Sequence, residues 1–548
     1  MKFLKKSLLI LASGLLVGTL SGCGKKDQPK KQKDPLVIPT VDVEKLHIDL
    51  PDYPTYNQGS PKADGNYDVL DFYEVSDFHG AVDFRESSDL AYPGLARMAT
   101  YFNTKRAENE GGTVILSSGD MFQGSADSNS TRGFMVNYCM NYMGFDAMAI
   151  GNHEFDWTDT WIRKNANLSY NTRKIPYLGI NIIDKRTEQL PDFCTESTVV
   201  ERGDYKIGII GAIGSTLESS ILYSCVENYE FVDEKLLIES EAQRLRTAGC
   251  DVVVLIEHQG VGDIPSVAGV DAIFGGHAHS NEKTSKEIDG RHIPVLATKN
   301  FGRGIAHIQL KIDRNSKDVV TGETDVKTFS NADKTGIAEN AGIKAIMDQY
   351  APSINSIKNI ELGTAEDDLS LYFPLKNICV KSMYDSATAS LSKALADHEE
   401  GVENLPLIAS FHNVRGGIRE DIKAGTITYG SVYASFPFDN EIVLIKAKGS
   451  LINNKMTSLS GFGCYRTVNS SADIDPDEYY YIVTTDFLAL SEDGFNGTNF
   501  KTLTDADLIR TGAVVRDVVA ERIYNLDTIK TADFPDDAPG YGAIPMPW

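Results

Sequence analysis

The 548-residue chain reads as an α/β protein in two parts. A layered α/β unit spans residues 65–330, and a mixed α/β unit over 358–530 follows a connecting helix within 331–357. Three observations predict this. Short β-branched apolar runs alternate with helically spaced stretches through the first part. The length exceeds what one core normally supports. The alternation loosens beyond residue 358, as expected of a second unit with its own architecture.

Taken in order, the runs 69–75, 114–116, 147–150, 252–256 and 272–274 predict strands. Val252-Val253-Val254-Leu255-Ile256 has no polar face, so that strand is expected to be buried on both sides. Between strands, Leu95, Met98, Ala99 and Phe102 keep helical spacing, and Gly111-Gly112 and Gly249 break such stretches. The polar stretch 331–335 marks the end of the first part. Over 342–350, Ile343, Ile346, Met347 and Tyr350 share one helical face. Strands are expected at 405–408, 441–447 and 479–484, and a helix at 514–523.

Five motifs follow the five runs of the first part: Asp77-Phe78-His79, Gly119-Asp120, Gly151-Asn152-His153-Glu154, His258 and Gly276-His277-Ala278-His279. Ligands gather past the carboxyl ends of strands in such sheets, so all five are expected at one edge of one sheet. Taken singly, each has a bland explanation. A lone histidine such as His258 usually serves packing, Asn152 suits a turn and Asp120 a helix cap. Together they place carboxylates, imidazoles and an amide oxygen at strand ends, the donor types that hold two divalent cations side by side. Five of the chain's ten histidines belong to the set. His47, His292, His307 and His398 match no motif.

Asp-x-His, Gly-Asp, Gly-Asn-His-Glu, a lone histidine and Gly-His-x-His, in that order, resemble the calcineurin-like metallophosphoesterases. Gly119-Asp120-Met121-Phe122-Gln123-Gly124-Ser125 and Gly151-Asn152-His153-Glu154-Phe155-Asp156 are similar to the 5′-nucleotidase branch. The resemblance implies a metal-dependent phosphoric ester hydrolase with two divalent ions (Zn, Mn, Co or Mg). It assigns Asp77, His79, Asp120 and His279 to one ion, and Asp120, Asn152, His258 and His277 to the other, with Asp120 bridging. It also implies attack on phosphorus by a metal-bound hydroxide, with His153, oriented by Asp156, stabilising the transition state or protonating the leaving oxygen.

The second part carries three further patches. Arg415-Gly416-Gly417-Ile418-Arg419, Phe436-Pro437-Phe438-Asp439-Asn440 and Asp493-Gly494-Phe495 resemble the substrate-binding half of 5′-nucleotidases. The resemblance implies phosphate contact by Arg419, and Arg415, within the same turn, is expected to compensate for upstream arginines of the family that this chain lacks. It also implies a nucleobase held between Phe438 and Phe495, and closure of the two parts about residues 331–360 during reaction. The chain departs from the family pattern at Val414, where relatives carry asparagine. It has no arginine between 352 and 414. The expected activity is that of a 5′-nucleotidase, with 2′,3′-cyclic-nucleotide 2′-phosphodiesterase/3′-nucleotidase and UDP-sugar hydrolase activities as the alternatives the motifs leave open. A non-catalytic surface nucleotide-binding lipoprotein is the alternative of another class.

Composition bears on compartment and partners. Lys2, Lys5 and Lys6 precede an apolar run from Leu8 to Leu20, and Leu20-Ser21-Gly22-Cys23 resembles a bacterial lipoprotein cleavage box. Residues 1–23 are thus expected to be a signal peptide, Cys23 the lipid-bearing membrane anchor, 24–64 a tether and 531–548 a tail. Export to a cell-surface or periplasm-facing position follows. The formal charge of −24, from 53 basic and 77 acidic residues, argues against a nucleic-acid polymer as partner; the expected partner is a nucleotide, and no protein partner is expected. Six scattered cysteines remain, for which a Cys194–Cys225 disulfide and buried free thiols are both open.

Overall fold

The computed structural model describes residues 33–534, apart from 57–58, 372, 414–419, 453–461, 469–472, 491–494 and 496–502. Its N-terminal domain is built on two sheets. The first runs Val319–Thr328, Gly304–Asp313, Tyr67–Glu74, Thr113–Ser117, Ala147–Ala149, Tyr177–Leu178, the last four strands parallel. The second runs Glu282–Ile288, Arg291–Ala297, Ala272–Gly275, Val252–His258, Tyr205–Ile213, Ser197–Arg202, with a parallel centre.

The motifs therefore do not share one sheet, as the strand pattern alone suggests. Three follow strands of the first sheet and two follow strands of the second. Alternation explains the difference. Leu70, Phe72, Val114 and Leu116 point inward from one sheet and Val252, Val254, Ile256 and Phe274 from the other, making a common core. The intervening residues face outward: Ile115 and Met148 meet helices Gly94–Glu108 and Phe134–Met143, while Val253 and Leu255 meet helix Lys235–Thr247. A run apolar on both faces fits either arrangement, so the sequence does not distinguish one sheet from two.

Helix Ala341–Lys358 joins the two parts. Ile343, Ile346, Tyr350 and Ile354 lie in the N-terminal core, and Ile357, one turn on, lies in the C-terminal core. The C-terminal domain has a five-stranded sheet ordered Phe462–Arg466, Leu407–Asn413, Tyr479–Thr485, Glu441–Lys448, Leu508–Val514. Helices Leu375–Ala396 and Val515–Leu526 supply its core with Ile378, Met383, Val519 and Ile523.

The stretch expected to be a tether, 24–64, is packed from Leu36 onward. Leu36 and Ile38 lie against the C-terminal core, Val43 is buried in the N-terminal one, and Gln349 Nε2 donates to Asp49 O at 2.7 Å. Apolar residues recur from 36 to 50, which is why this strap docks. All six cysteines of the described residues are free thiols, so Cys194 and Cys225 are not paired.

Candidate active site

Every ligand candidate lies at or just past the carboxyl end of a strand. Tyr67–Glu74 leads to Asp77 and His79, Thr113–Ser117 to Asp120, and Ala147–Ala149 to Asn152; Val252–His258 ends in His258, and Ala272–Gly275 leads to His277 and His279. Asp77, His79 and His279 bring their ligand atoms within 4.8 Å of one another, and Asp120, His258 and His277 form a second such group. Asn152 Oδ1 joins the second group, 3.0 Å from His258 Nε2 and 3.1 Å from His277 Nδ1. In the first group, His279 Nε2 lies 3.1 Å from His79 Nε2 and 3.3 Å from Asp77 Oδ1.

The donor chemistry fits cations. His79 Nδ1 lies 2.8 Å from the carbonyl oxygen of Gln123, and His258 Nδ1 lies 2.7 Å from that of Ser118. A carbonyl only accepts, so both rings donate from Nδ1 and turn Nε2 inward. His258 Nε2 then faces Asn152 Oδ1 and Asp120 Oδ2, the latter at 3.1 Å. Acceptor would oppose acceptor there without a proton or a cation between them. Burial, with His153 and His279 nearby, pushes His79 down to about 3, which leaves its lone pair available. Burial also disfavours charge on His258, but the Asp120 carboxylate outweighs it and lifts that ring to about 10.

The loops are held in unusual backbone conformations. Asp77 (φ 51°), His79 (49°), Asp120 (56°), His277 (65°) and His279 (55°) are all left-handed. Each costs roughly 1 kcal/mol for an L-residue, so the surroundings must enforce them. Asp77 N and His79 N donate to Gly119 O and Asp120 O at 3.0 Å, and the Glu154 carboxylate accepts from Asp120 N, Met121 N and Gly151 N at 2.7–2.9 Å. Gly119 has φ +94°, and a Cβ there would meet Gly151 N at 2.6 Å, so these two ligand loops touch only because residue 119 lacks a side chain. In the sequence Glu154 has no role beyond motif membership, since its partners are amides of two separate loops.

His153 Nδ1 lies 2.8 Å from Asp156 Oδ2, and the ring stands 5.2 Å from that of His79. It also approaches Phe438, with centroids 5.7 Å apart. Phe438 and Pro437 line a cavity of about 230 Å³ between the domains, together with His79 and Gln123. Gln123 Nε2 and Asn129 Nδ2 both donate to Pro437 O, at 3.2 and 3.0 Å. On the other side of the turn, Arg516 donates to Phe436 O and Phe438 O and pairs with Asp439 at 2.5 Å. Nothing near residue 516 in the sequence marks it as the clamp of this turn.

Phe495 requires a correction. The motif resemblance sets it opposite Phe438, but it is fully buried, edge-on to Phe411 at 6.2 Å, among Ile408, Ile445 and Leu503. Core packing claims that ring. Arg415 and Arg419 lie outside the described residues.

The chain matches the calcineurin-like phosphoesterase family over residues 70–281 and the 5′-nucleotidase C-terminal domain over 409–470. It is 24% identical over 477 residues to an endonuclease, YhcR, of Bacillus subtilis (strain 168), covering 77% of this chain and 37% of that protein. It is 25% identical over 399 residues to a 5′-nucleotidase of Rattus norvegicus, covering 67% and 66%. The chain thus spans 37% and 66% of the lengths of these two relatives. The crystal structure of a 5′-nucleotidase precursor from Thermus thermophilus shares the fold, with TM-score 0.66 and 20% identity over 84% of this chain and 97% of that one. Fold and ligand groups together define a calcineurin-like metallophosphoesterase, a class of metal-dependent phosphoester hydrolases. With the C-terminal match, the chain is similar to 5′-nucleotidases in both of its parts.

Proposed function

We propose that the protein is a dinuclear-metal phosphohydrolase that removes phosphate from 5′-nucleotides. One observation carries this reading: Phe438, a half-buried aromatic on a turn, lies 5.7 Å from the ring of His153 beside two ligand groups for cations. A phosphate at those groups would leave its attached nucleoside within reach of a ring on which a base can stack.

Asp77, His79 and His279 would hold one ion and Asp120, Asn152, His258 and His277 the other, with Asp120 shared. When bound, such ions lower the pKa of water and neutralise phosphoryl charge. The chain's own residues do the rest. His153 hydrogen-bonds through Nδ1 to Asp156 and would turn Nε2 toward the phosphate, where as imidazolium it takes up charge or protonates the leaving oxygen. Burial raises Asp156 above the ordinary carboxylate range, against the pull of His153. Arg419 and Arg415 would bind the phosphate and Phe438 the base.

The basic and apolar N-terminus and Leu20-Ser21-Gly22-Cys23 support export and lipid attachment at Cys23, a segment outside the described residues. Among those residues no helix is long and apolar enough to cross a membrane. A second reading, phosphodiester hydrolysis, is favoured by the Bacillus relative, which is named an endonuclease. The charge of −24 opposes a polymeric substrate, so small cyclic esters are the diester version to test.

The test is turnover of 5′-, 3′- and 2′,3′-cyclic nucleotides and a UDP-sugar, read as phosphate released directly from the monophosphates and through a coupled phosphatase for the cyclic and UDP-linked substrates, with Mn²⁺, Zn²⁺, Co²⁺ or Mg²⁺ and with chelator. Metal-dependent release from 5′-monophosphates supports the proposal. Turnover restricted to cyclic or UDP-linked substrates would reject it in favour of the alternatives.

A further inference from the structure

The cavity beside His79 has an aromatic wall that belongs to the metal-bearing domain. Tyr92 and Phe301 both line it and stack on each other, with centroids 4.9 Å apart and planes 26° from parallel. Phe301 also stands 5.9 Å from the His79 ring. Neither ring is buried in a core; both are half-buried at the cavity surface.

The backbone shows that this placement is enforced. Phe301 has φ +62°, a left-handed conformation that costs a residue with a Cβ and that glycine adopts freely. The next residue, Gly302, has the same handedness, and a Cβ there would meet Met98 Cε at 2.7 Å. The chain thus uses glycine at one left-handed position and retains a phenylalanine at the adjoining one. Phe301 N donates to Asp77 O at 2.7 Å, and Asn300 Nδ2 lies 3.2 Å from His279 Nδ1. One short loop therefore fixes a metal-ligand loop and sets an aromatic ring at the cavity. Strain of this kind gathers where a side chain must point at a ligand.

Charge within the cavity is largely matched in its own wall. Arg85 pairs with Glu420, and Lys358 pairs with Asp127 at 2.7 Å. The guanidinium carbons of Arg85 and Arg303 lie 5.4 and 5.3 Å from the Tyr92 ring centre. Both groups lie over the Tyr92 ring, and Arg303 also lies over Phe301 at 5.5 Å, so what the wall offers a ligand is a half-buried stacked aromatic pair that carries cations on its rings, which suits a planar, electron-rich ring. Phe438 lines the same cavity from the C-terminal domain, while Phe495 is committed to the core.

We propose that the Tyr92–Phe301 pair is a ring-binding platform that takes the nucleobase of the substrate, so that base recognition is divided between the two domains. This rests on the nucleotidase reading for the identity of the ring, and on the wall itself for its existence. Residue 301 follows strand Arg291–Ala297 and lies in none of the five motifs, so no motif marks it.

The test is calorimetric titration of the non-hydrolysable 5′-phosphonate analogues of adenosine 5′-monophosphate and of ribose 5-phosphate into the metal-loaded protein, so that binding is read without turnover. Wild type is expected to prefer the nucleotide. Phe301→Leu and Tyr92→Leu are each expected to lower that preference about tenfold, within the range known for base stacking, while Phe301→Tyr retains it. An unchanged preference in both leucine variants, or no preference in wild type, overturns the platform. A merely structural role would weaken both ligands alike and leave the ratio unmoved. Phosphate release from adenosine 5′-monophosphate by the same metal-loaded protein is read separately. Loss of base preference in a protein that does not hydrolyse nucleotides would retain the platform and reject the nucleotidase reading; the converse pattern would reject the platform alone.

Discussion

At the scale of single residues, His258 carries the most specific consequence of the electrostatics. Its folded pKa, raised to about 10 by Asp120 against the cost of burial, means that the protein's own charges keep it protonated at neutral pH. A cation must displace that proton, so metal binding should release one proton at this ring and affinity should rise with pH up to about 10. Proton release per ion bound, measured in weak buffer, checks this; none released would contradict it. His153 is expected to behave differently because it orients charge without belonging to either ligand group. His153→Ala should lower kcat/KM by about a hundred- to ten-thousand-fold with metal content unchanged, as kinetics and metal analysis on one sample would show. Most of these residues are legible in the sequence because short motifs state them directly. Glu154 and Arg516 are not, since each acts on backbone groups brought near by the fold.

At the scale of elements, strand ends and the turns after them make the site. Gly119→Ala would add a Cβ at 2.6 Å from Gly151 N in a left-handed turn, forcing apart the loops of Asp120 and Asn152. We expect a loss of about 1–3 kcal/mol in stability and weaker metal binding, readable by denaturation with and without added metal. In the C-terminal domain, the turn Phe436–Asp439 depends on Arg516, whose side chain is 7% exposed. Arg516→Met should destabilise by roughly 3 kcal/mol, because Asp439 and two turn carbonyls lose a buried donor; chemical denaturation of the variant checks this. Burial raises the Asp439 pKa, but Arg516 and Arg132 outweigh it and hold the carboxyl below its ordinary value. Its stabilising contribution is therefore complete above the unfolded pKa of about 4 and lost as pH falls through the folded one. The strands are legible from apolar runs; their division between two sheets is not. Val252–Ile256 is apolar on both faces, and only the partners it meets decide which face joins which core. Phe495 shows the same limit, since an Asp-Gly-Phe sequence does not state whether its ring faces a ligand or a core.

At the scale of the molecule, helix Ala341–Lys358 contributes to both cores, and the strap from Leu36 onward touches both domains. Contacts across the cavity (Arg132 with Asp439 at 3.2 Å, Lys358 with Asp127 at 2.7 Å) hold Phe438 against His153 in this arrangement. If the domains must separate and close to exchange product, an engineered interdomain disulfide should abolish steady-state turnover and leave bound metal intact. Unchanged turnover would show that they need not move. The helix is legible from Ile343, Ile346 and Tyr350, whereas the strap reads as a tether, because scattered apolar residues predict burial only once a surface exists to receive them. The central claim is that the two ligand groups form one hydrolytic metal centre for nucleotides. Its most direct test is phosphate release from adenosine 5′-monophosphate, with metal content determined in parallel, for wild type and Asn152→Ala. We expect metal-dependent release by wild type, and a variant that has lost both activity and bound metal. Metal bound by wild type with no phosphate released from any nucleotide would contradict it.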